Sequence, residues 1–276
     1  MSTFLILGGT GKVGSRTVRQ LRAGGHTARV ASRTAGDVVF DWRDESTYEP
    51  AVRGIDGIFI VGPGSAKDWS ASLTLLLQIA SAAGVSKVVF LSARGVEFLP
   101  DGAVARAERA LTAGAVPWVI LRPTHFAQNF TEAMFVPVGG VIAAPVADGA
   151  EPFIDVEDIA QVAARLLTVD EWMNRTVEIS GPAAITFAEA ARVLSARSGA
   201  NVSFVDEEPE RHADRLRAAG TPEGYVEWRM AMLRGIRSGN DSYLSDGVQD
   251  VLGRPAGSFD EWAVREASAL SDGSLG

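Results

Sequence analysis

The chain has no cysteine among its 276 residues, which excludes disulfides, thiolate metal sites and cysteine nucleophiles. Histidine is scarce: His26, His125 and His212 stand far apart and lack metal-site spacing, so no metal is expected. Lysine occurs only at Lys12, Lys67 and Lys87, and tyrosine only at Tyr48, Tyr225 and Tyr243. Excess positive charge is also missing. With 26 Lys and Arg against 34 Asp and Glu, the net charge is −8. Nucleic acid and anionic membranes, which want clustered basic residues, are therefore not expected partners. The N-terminus lacks a basic leader, and its apolar run is too short to cross a bilayer. The expectation is a cytoplasmic protein with a small-molecule partner, either a monomer or a homodimer. Hydrophobic content of 46% and charged content of 22% suit a globular chain with a large core.

Short β-branched runs alternate with amphipathic helical patterns through the first half. Strands are expected at 4–7, 28–32, 38–41, 57–61, 87–92 and 118–121, and helices at 14–23, 72–83 and 103–113. Strands apolar on both faces, alternating with helices, predict an α/β fold with a doubly wound parallel sheet. Beyond Leu121 the pattern loosens. A helix is expected at 155–167 with Asp155 as its N-cap, then a returning strand at 176–180 and a helix capped by Thr186. Segments centred on 211–219, 225–236 and 259–267 follow, too poor in strands for a sheet of their own. They predict a small, mostly helical lobe, and the terminal SDGSLG reads as disordered. In domain terms, residues 1–125, completed by about 152–181, form the larger unit. Residues 126–151 and 182–276 form the lobe.

The stretch GGTGKVG follows the first strand and opens the first helix. Gly8, Gly11 and Gly14 have G-x-x-G-x-x-G spacing, with Thr10, Lys12 and Val13 between them. In that context Gly8 permits a tight turn, Gly11 lets backbone N–H groups approach a pyrophosphate, and Gly14 lets the helix pack on the sheet. The helix N-terminus adds partial positive charge. The second strand ends in Ser32, Arg33 and Thr34, with no carboxylate to accept from a ribose 2′-OH. A guanidinium there can fork onto a 2′-phosphate, so NADP(H) is the expected cofactor. Asp41, beside Trp42, is placed to accept from an adenine amine. Val61, Gly62 and Pro63 end the fourth strand, Ser92 the fifth, and Pro123 follows the sixth. All lie at carboxyl ends of strands, where open α/β sheets bind ligands. The helix at 103–113 lacks the Tyr-x-x-x-Lys pair with which short-chain reductases protonate a carbonyl oxygen. Losing a positioned acid costs on the order of 10²–10⁴-fold in rate. Acceptors that need little proton help, such as an iminium ion or a quinone, suit such a site.

Seven stretches in family order run through nearly the whole chain: GGTGK (8–12), ASR (31–33), FDW (40–42), VVFLSA (88–93), LRPTHFAQNF (121–130), PFIDVEDIA (152–160) and GRPAGSFDEWA (253–263). On these the chain resembles the NmrA-like atypical short-chain dehydrogenase/reductases, and among them the group related to festuclavine and agroclavine dehydrogenases. The resemblance implies a Rossmann domain with a substrate lobe, and NADPH-dependent reduction of an imine or iminium in secondary metabolism. His125 stands where the group commonly has Trp, so the alkaloid substrate does not carry over. Arg106 and Glu108 stand where relatives often have Lys and Glu, and Arg106 cannot donate a proton at neutral pH. His125 could donate one or orient a substrate. With Ser92, Phe126, Asn129 and Phe130 it makes the expected substrate set, and Met134, Phe135, Trp228, Met230 and Met232 could add an apolar wall. Two other readings stand beside the reductase: a non-catalytic NADP(H) sensor that binds a regulatory protein, and a non-redox enzyme on the same fold.

Overall fold

The computed structural model describes residues 1–64 and 67–266. Its first half runs β1 (Thr3–Leu7), α1 (Lys12–Ala23), β2 (Thr27–Ser32), β3 (Val38–Val39), α2 (Tyr48–Val52) and β4 (Gly57–Val61). Then come α3 (Ser70–Ala82), β5 (Lys87–Leu91), α4 (Ala103–Thr112), β6 (Trp118–Pro123), α5 (Asn129–Glu132), β7 (Val141–Ala144) and β8 (Ala150–Glu151). The chain continues through α6 (Val156–Thr168), β9 (Arg175–Ile179), β10 (Ile185–Thr186), α7 (Phe187–Ser198) and β11 (Ser203–Asp206). It closes with α8 (Pro209–Ala218), α9 (Glu223–Arg237), α10 (Gly247–Leu252) and α11 (Phe259–Glu266).

Seven strands form one parallel sheet in the order β3-β2-β1-β4-β5-β6-β9. The chain starts in the middle, moves out to β3, then returns to β4 and moves out the other way. The order therefore reverses between β1 and β4, and that reversal opens a crevice at the carboxyl ends of the strands. Side chains alternate along each strand, so one sheet supplies two cores. Phe4, Ile6, Phe59, Val89 and Val119 pack under α1, α6 and α10. Leu5, Leu7, Ile58, Ile60, Val88 and Phe90 pack under α2, α3 and α4. This is a doubly wound Rossmann-like fold.

A third core belongs to the lobe, where Phe130, Phe135, Phe153, Phe187, Phe259 and Trp262 pack ring on ring. The lobe departs from the sequence expectation in having strands of its own. β7 pairs with β11 in parallel, and β8 with β10 antiparallel. These ladders are too short to show a period, and their partners are distant in sequence. The helices α2, α5 and α10 are also absent from the sequence reading; each is too brief to display a helical repeat. Asp155 caps α6 by accepting from Glu157 N–H, and Thr186 with Glu189 forms a capping box on α7. The SDGSLG terminus and Ala267, expected to end the last helix, lie outside the described residues. No helix among the described residues is long and apolar enough to cross a membrane.

Candidate active site

The crevice at the β1/β4 reversal is a cleft of about 1090 Å³. Its centre is the turn after β1. Gly8 sits at φ +71°, and its carbonyl accepts from Gly11 N–H at 2.9 Å. A Cβ on Gly14 would lie 2.2 Å from the Gly8 carbonyl oxygen, whereas one on Gly11 would lie 3.3 Å away. Gly14 thus serves the turn's own close packing more than contact with the sheet. α1 begins at Gly11 without a side-chain cap and with no acidic residue in its first turn. Its leading N–H groups are left for an anionic ligand.

Towards β2 and β3 the cleft is polar. The Ser32 hydroxyl accepts from the N–H groups of Thr34 and Ala35 at 3.1 and 2.9 Å, folding a turn that leaves Arg33 and Thr34 exposed on the wall. The Asp41 carboxylate accepts from Arg43 N–H at 3.0 Å. That bond, helped by the Arg43 and Arg33 charges, lowers its pKa and keeps it an acceptor. Trp42 meets Trp69 at 4.8 Å and Phe40 at 5.0 Å between ring centroids, making an aromatic floor. Gly62 must lack a side chain, because a Cβ there would lie 2.9 Å from the Trp69 ring. Lobe residues Ala219, Gly220, Thr221, Pro222 and Tyr225 form the opposite wall.

The cleft brings together Gly8, Thr10, Ser32, Arg33, Thr34, Asp41, Trp42, Val61, Gly62 and Pro63 from the expected cofactor set. The others stand off its wall. Gly11 and Gly14 shape the turn from behind, Val13 is buried in the sheet core, and Lys12 pairs with Glu132 of α5 at 3.5 Å. Pro123 is buried, and its carbonyl accepts from Arg94 N–H at 2.9 Å. Ser92 is buried too, donating to Glu108 Oε1 at 2.5 Å. Glu108 also takes two bonds from Arg122, at 2.9 and 2.5 Å, and that pairing raises the Arg122 pKa against the opposing effect of burial. Sequence reasoning missed Trp69, Asp68 and the 219–225 wall. Trp69 and Asp68 lie in a loop without a period, and the wall arrives from a distant helix pair.

A second cavity, about 460 Å³, adjoins the first through Gly62, Gly64, Asp68, Trp69 and Tyr225. Leu91, Leu99, Ala103 and Trp228 give it apolar walls, and Arg106 reaches Asp68 at 3.2 Å on its rim. The bond from Ser70 N–H is the main reason the Asp68 pKa is lowered.

The expected substrate set divides. Phe130 is 0% exposed in the lobe core, ringed by Phe135, Phe153, Phe187 and Phe259, and reaches neither cavity. Asn129 is buried at the start of α5, and Phe126 packs against the sheet core. Phe135 and Met232 are likewise core, and Met134 and Met230 pack against the lobe core; Trp228 alone of the expected apolar wall lines a cavity. His125 leaves β6 with 9% of its side chain exposed, and its Nδ1 lies 3.1 Å from Glu151 Oε1. The same oxygen accepts from His125 N–H at 3.0 Å. Burial alone would lower the imidazole pKa, but the Glu151 charge and hydrogen bond outweigh it and the pKa is raised. Beside this pair, Arg94 donates from Nε to Asp241 Oδ1 at 2.8 Å and its guanidinium lies 3.9 Å from the Tyr243 ring centre.

A strand-reversal crevice with a glycine turn, an uncapped helix start and a polar end at Arg33 and Asp41 defines a dinucleotide-binding Rossmann protein. The chain belongs to the NAD(P)H-binding family, whose model matches residues 8–170. It is 32% identical to an uncharacterised oxidoreductase, YesF, of Bacillus subtilis, over 96% of this chain and 95% of that one. It is 27% identical to agroclavine dehydrogenase of Claviceps fusiformis, over 91% of this chain and 92% of that one. These relatives place it among NAD(P)-dependent oxidoreductases and bear out the resemblance carried by its motifs. Solved structures share the fold. A Citrobacter sp. triphenylmethane reductase with NADP(H) matches at TM-score 0.75 and 21% identity, over 96% of this chain and 99% of that one. An Escherichia coli NADPH-dependent quinone oxidoreductase with NADPH matches at TM-score 0.79 and 20% identity, over 95% and 99%. The negative transcriptional regulator NmrA with NAD matches at TM-score 0.76 and 15% identity, over 98% and 97%.

Proposed function

We propose that the protein is an NADPH-dependent reductase acting on an activated small-molecule acceptor, an imine, iminium ion or quinone. The observation that carries this is the cleft that joins the Gly8 turn, just ahead of the bare start of α1, to Arg33 and Asp41. The residues fit the cofactor: the unsatisfied helix N–H groups would hold a pyrophosphate, Arg33 a 2′-phosphate, and Asp41 an adenine amine. Bound there, NADPH supplies the hydride. Among the described residues, those of 1–125 with about 152–181 would hold the cofactor, while those of 126–151 and 182–276 would cover the acceptor and exclude water.

Support for this class of acceptor comes from α4. It carries no Tyr-x-x-x-Lys pair, Arg106 is turned to Asp68, and Glu108 is occupied by Ser92 and Arg122. Acceptors whose carbon is already electron-poor suit this surface, and Trp69, Tyr225 and Trp228 around the second cavity suit a flat one. The triphenylmethane and quinone reductases that share the fold act on acceptors of this kind. NADPH oxidation measured against a panel of cyclic imines, cationic dyes and quinones tests the reading. Turnover with at least one class is expected. Tight NADPH and NADP⁺ binding with no turnover above background would replace it with the sensor reading.

A further inference from the structure

The cleft and the second cavity meet along one shared wall, formed by Gly62, Gly64, Asp68, Trp69 and Tyr225. That wall stands at the end of β4, the neighbour of β1 in the sheet, and Leu91 at the end of β5 lies beyond it in the second cavity. A dinucleotide anchored on the turn after β1, with one end at Arg33 after β2, sends its other end past β4. On the reductase reading, hydride therefore crosses at the shared wall, from the cleft into the cavity. A group that protonates the acceptor has to stand there too.

Of the five shared residues, one offers an acidic proton. Gly62 and Gly64 have no side chain. Asp68 accepts from Ser70 N–H at 2.9 Å and from Arg106 at 3.2 Å; these bonds hold its carboxyl below the usual range, so it is ionised. The Trp69 indole donates a hydrogen bond but keeps its proton. The phenol of Tyr225 remains. Tyr225 lies half-buried in the first turn of α9, with its ring 5.5 Å from that of Trp228. Four residues on, and so on the same face of the helix, comes Arg229. Arg229 is 8% exposed; its Nη2 donates to the Met134 carbonyl at 2.8 Å, and its Nε has no hydrogen-bond partner. Burial lowers its pKa, and interaction with Tyr225 is the largest influence in the other direction. Glu207 and Arg215, whose charges also reach it, are paired with each other at 2.8 Å. At the shared wall α9 thus carries a Tyr-x-x-x-Arg pair, where α4 has no Tyr-x-x-x-Lys.

Resting on the reductase reading, we propose that Tyr225 is the proton donor to the acceptor, and that Arg229 is a positioning residue that faces the charge left on its oxygen. The acceptor's electron-poor atom takes a hydride, with its electron pair, from the reduced nicotinamide, which is oxidised. In the same step the acceptor's oxygen or nitrogen takes H⁺ from Tyr225 Oη, whose O–H bond breaks and leaves its pair on the oxygen. The phenolate so formed faces the Arg229 guanidinium, a buried cation that favours a negative charge beside it. Solvent returns the proton after the product leaves. An acceptor that is already a cation needs no proton and is reduced without this step.

Two acceptors separate proton transfer from hydride transfer. Menadione, a neutral quinone, takes both; the malachite green cation takes hydride alone. In single-turnover oxidation of NADPH, Y225F is expected to lower the ratio of the menadione to the malachite green rate about 10²-fold. R229M should lower the same ratio, and R229K should restore part of it. For the wild-type protein, the menadione rate should slow in D₂O and the malachite green rate should not. An unchanged ratio in Y225F, or equal D₂O effects on the two acceptors, would overturn the proposal. A ratio unmoved in R229M, or no better in R229K, overturns the part given to Arg229. Should R229M fail to fold, Y225F and the D₂O comparison decide. Turnover of malachite green alone keeps the reductase reading and overturns this proposal. If the wild-type protein turns over neither acceptor, the reductase reading fails first and this proposal falls with it.

Discussion

Arg33 and the glycines of the first turn act one residue at a time. Arg33 stands exposed on the cleft wall beside Thr34, with Asp41 near enough to feel its charge. Charge-assisted bonds to a phosphate are worth about 1.5–3 kcal/mol, or about 10–100-fold in affinity. Arg33→Asp should therefore erase the preference for NADPH over NADH by that factor, read from the two dissociation constants. The glycines are unequal in a way their even spacing hides. Gly14→Ala drives a Cβ to 2.2 Å from the Gly8 carbonyl, while Gly11→Ala leaves 3.3 Å. Urea denaturation without cofactor should show Gly14→Ala destabilised by about 1–3 kcal/mol, with Gly11→Ala the milder change. Equal losses would mean that the turn relaxes and that Gly14 is not sterically required.

At the scale of elements, caps and seams do the holding. α1 packs along α6, and Arg16 and Arg19 both reach Glu157 across that seam. Glu157 reads as a lowered carboxyl: burial alone would raise it, but the Arg19 and Arg16 contacts prevail. The stability it adds is present above its ordinary range and is lost as pH falls through the lowered value. α7 depends on its own start. Thr186 accepts from Glu189 N–H at 3.1 Å, and Glu189 accepts from Thr186 N–H at 2.9 Å. Thr186→Ala should cost about 1 kcal/mol in urea denaturation. Because no residue of α7 lines the cleft, NADPH affinity should stay unchanged in the same variant.

Across the whole molecule, the Arg94–Asp241 pair joins the edge after β5 to the segment following α9. Both side chains are 1% exposed, and Arg94 also reaches the backbone oxygens of Asp241 and Tyr243. Removing one partner of a buried pair costs about 3–5 kcal/mol, because the other charge is stranded. The sign of the pH effect follows from Asp241. Its pKa stands at about 6 against an ordinary 3.8, so the folded state binds this proton more tightly than the unfolded chain. That contribution favours folding at low pH and is lost as pH rises through about 6. Arg94→Ala should therefore destabilise the protein strongly at pH 7 and less at pH 5, measured by denaturation at both. An equal loss at both values would mean that Asp241 does not take up the proton.

Some of this was decided by the sequence alone. Local patterns do not depend on what they pack against, so the alternation of β-branched runs with amphipathic helices was enough for the doubly wound sheet. The GGTGKVG stretch and the Ser32-Arg33-Thr34 end of β2 sit within a few residues of the strands that position them, so the cleft's polar end was legible. Phe130 was misread for the opposite reason: one aromatic looks the same facing a pocket or a core, and only packing with Phe153, Phe187 and Phe259 distinguishes them. The lobe's ladders, the 219–225 wall and the meeting of Arg94, His125, Glu151 and Asp241 were decided by tertiary structure. Each joins residues from distant elements, and no spacing along the chain records which buried charges will be brought face to face.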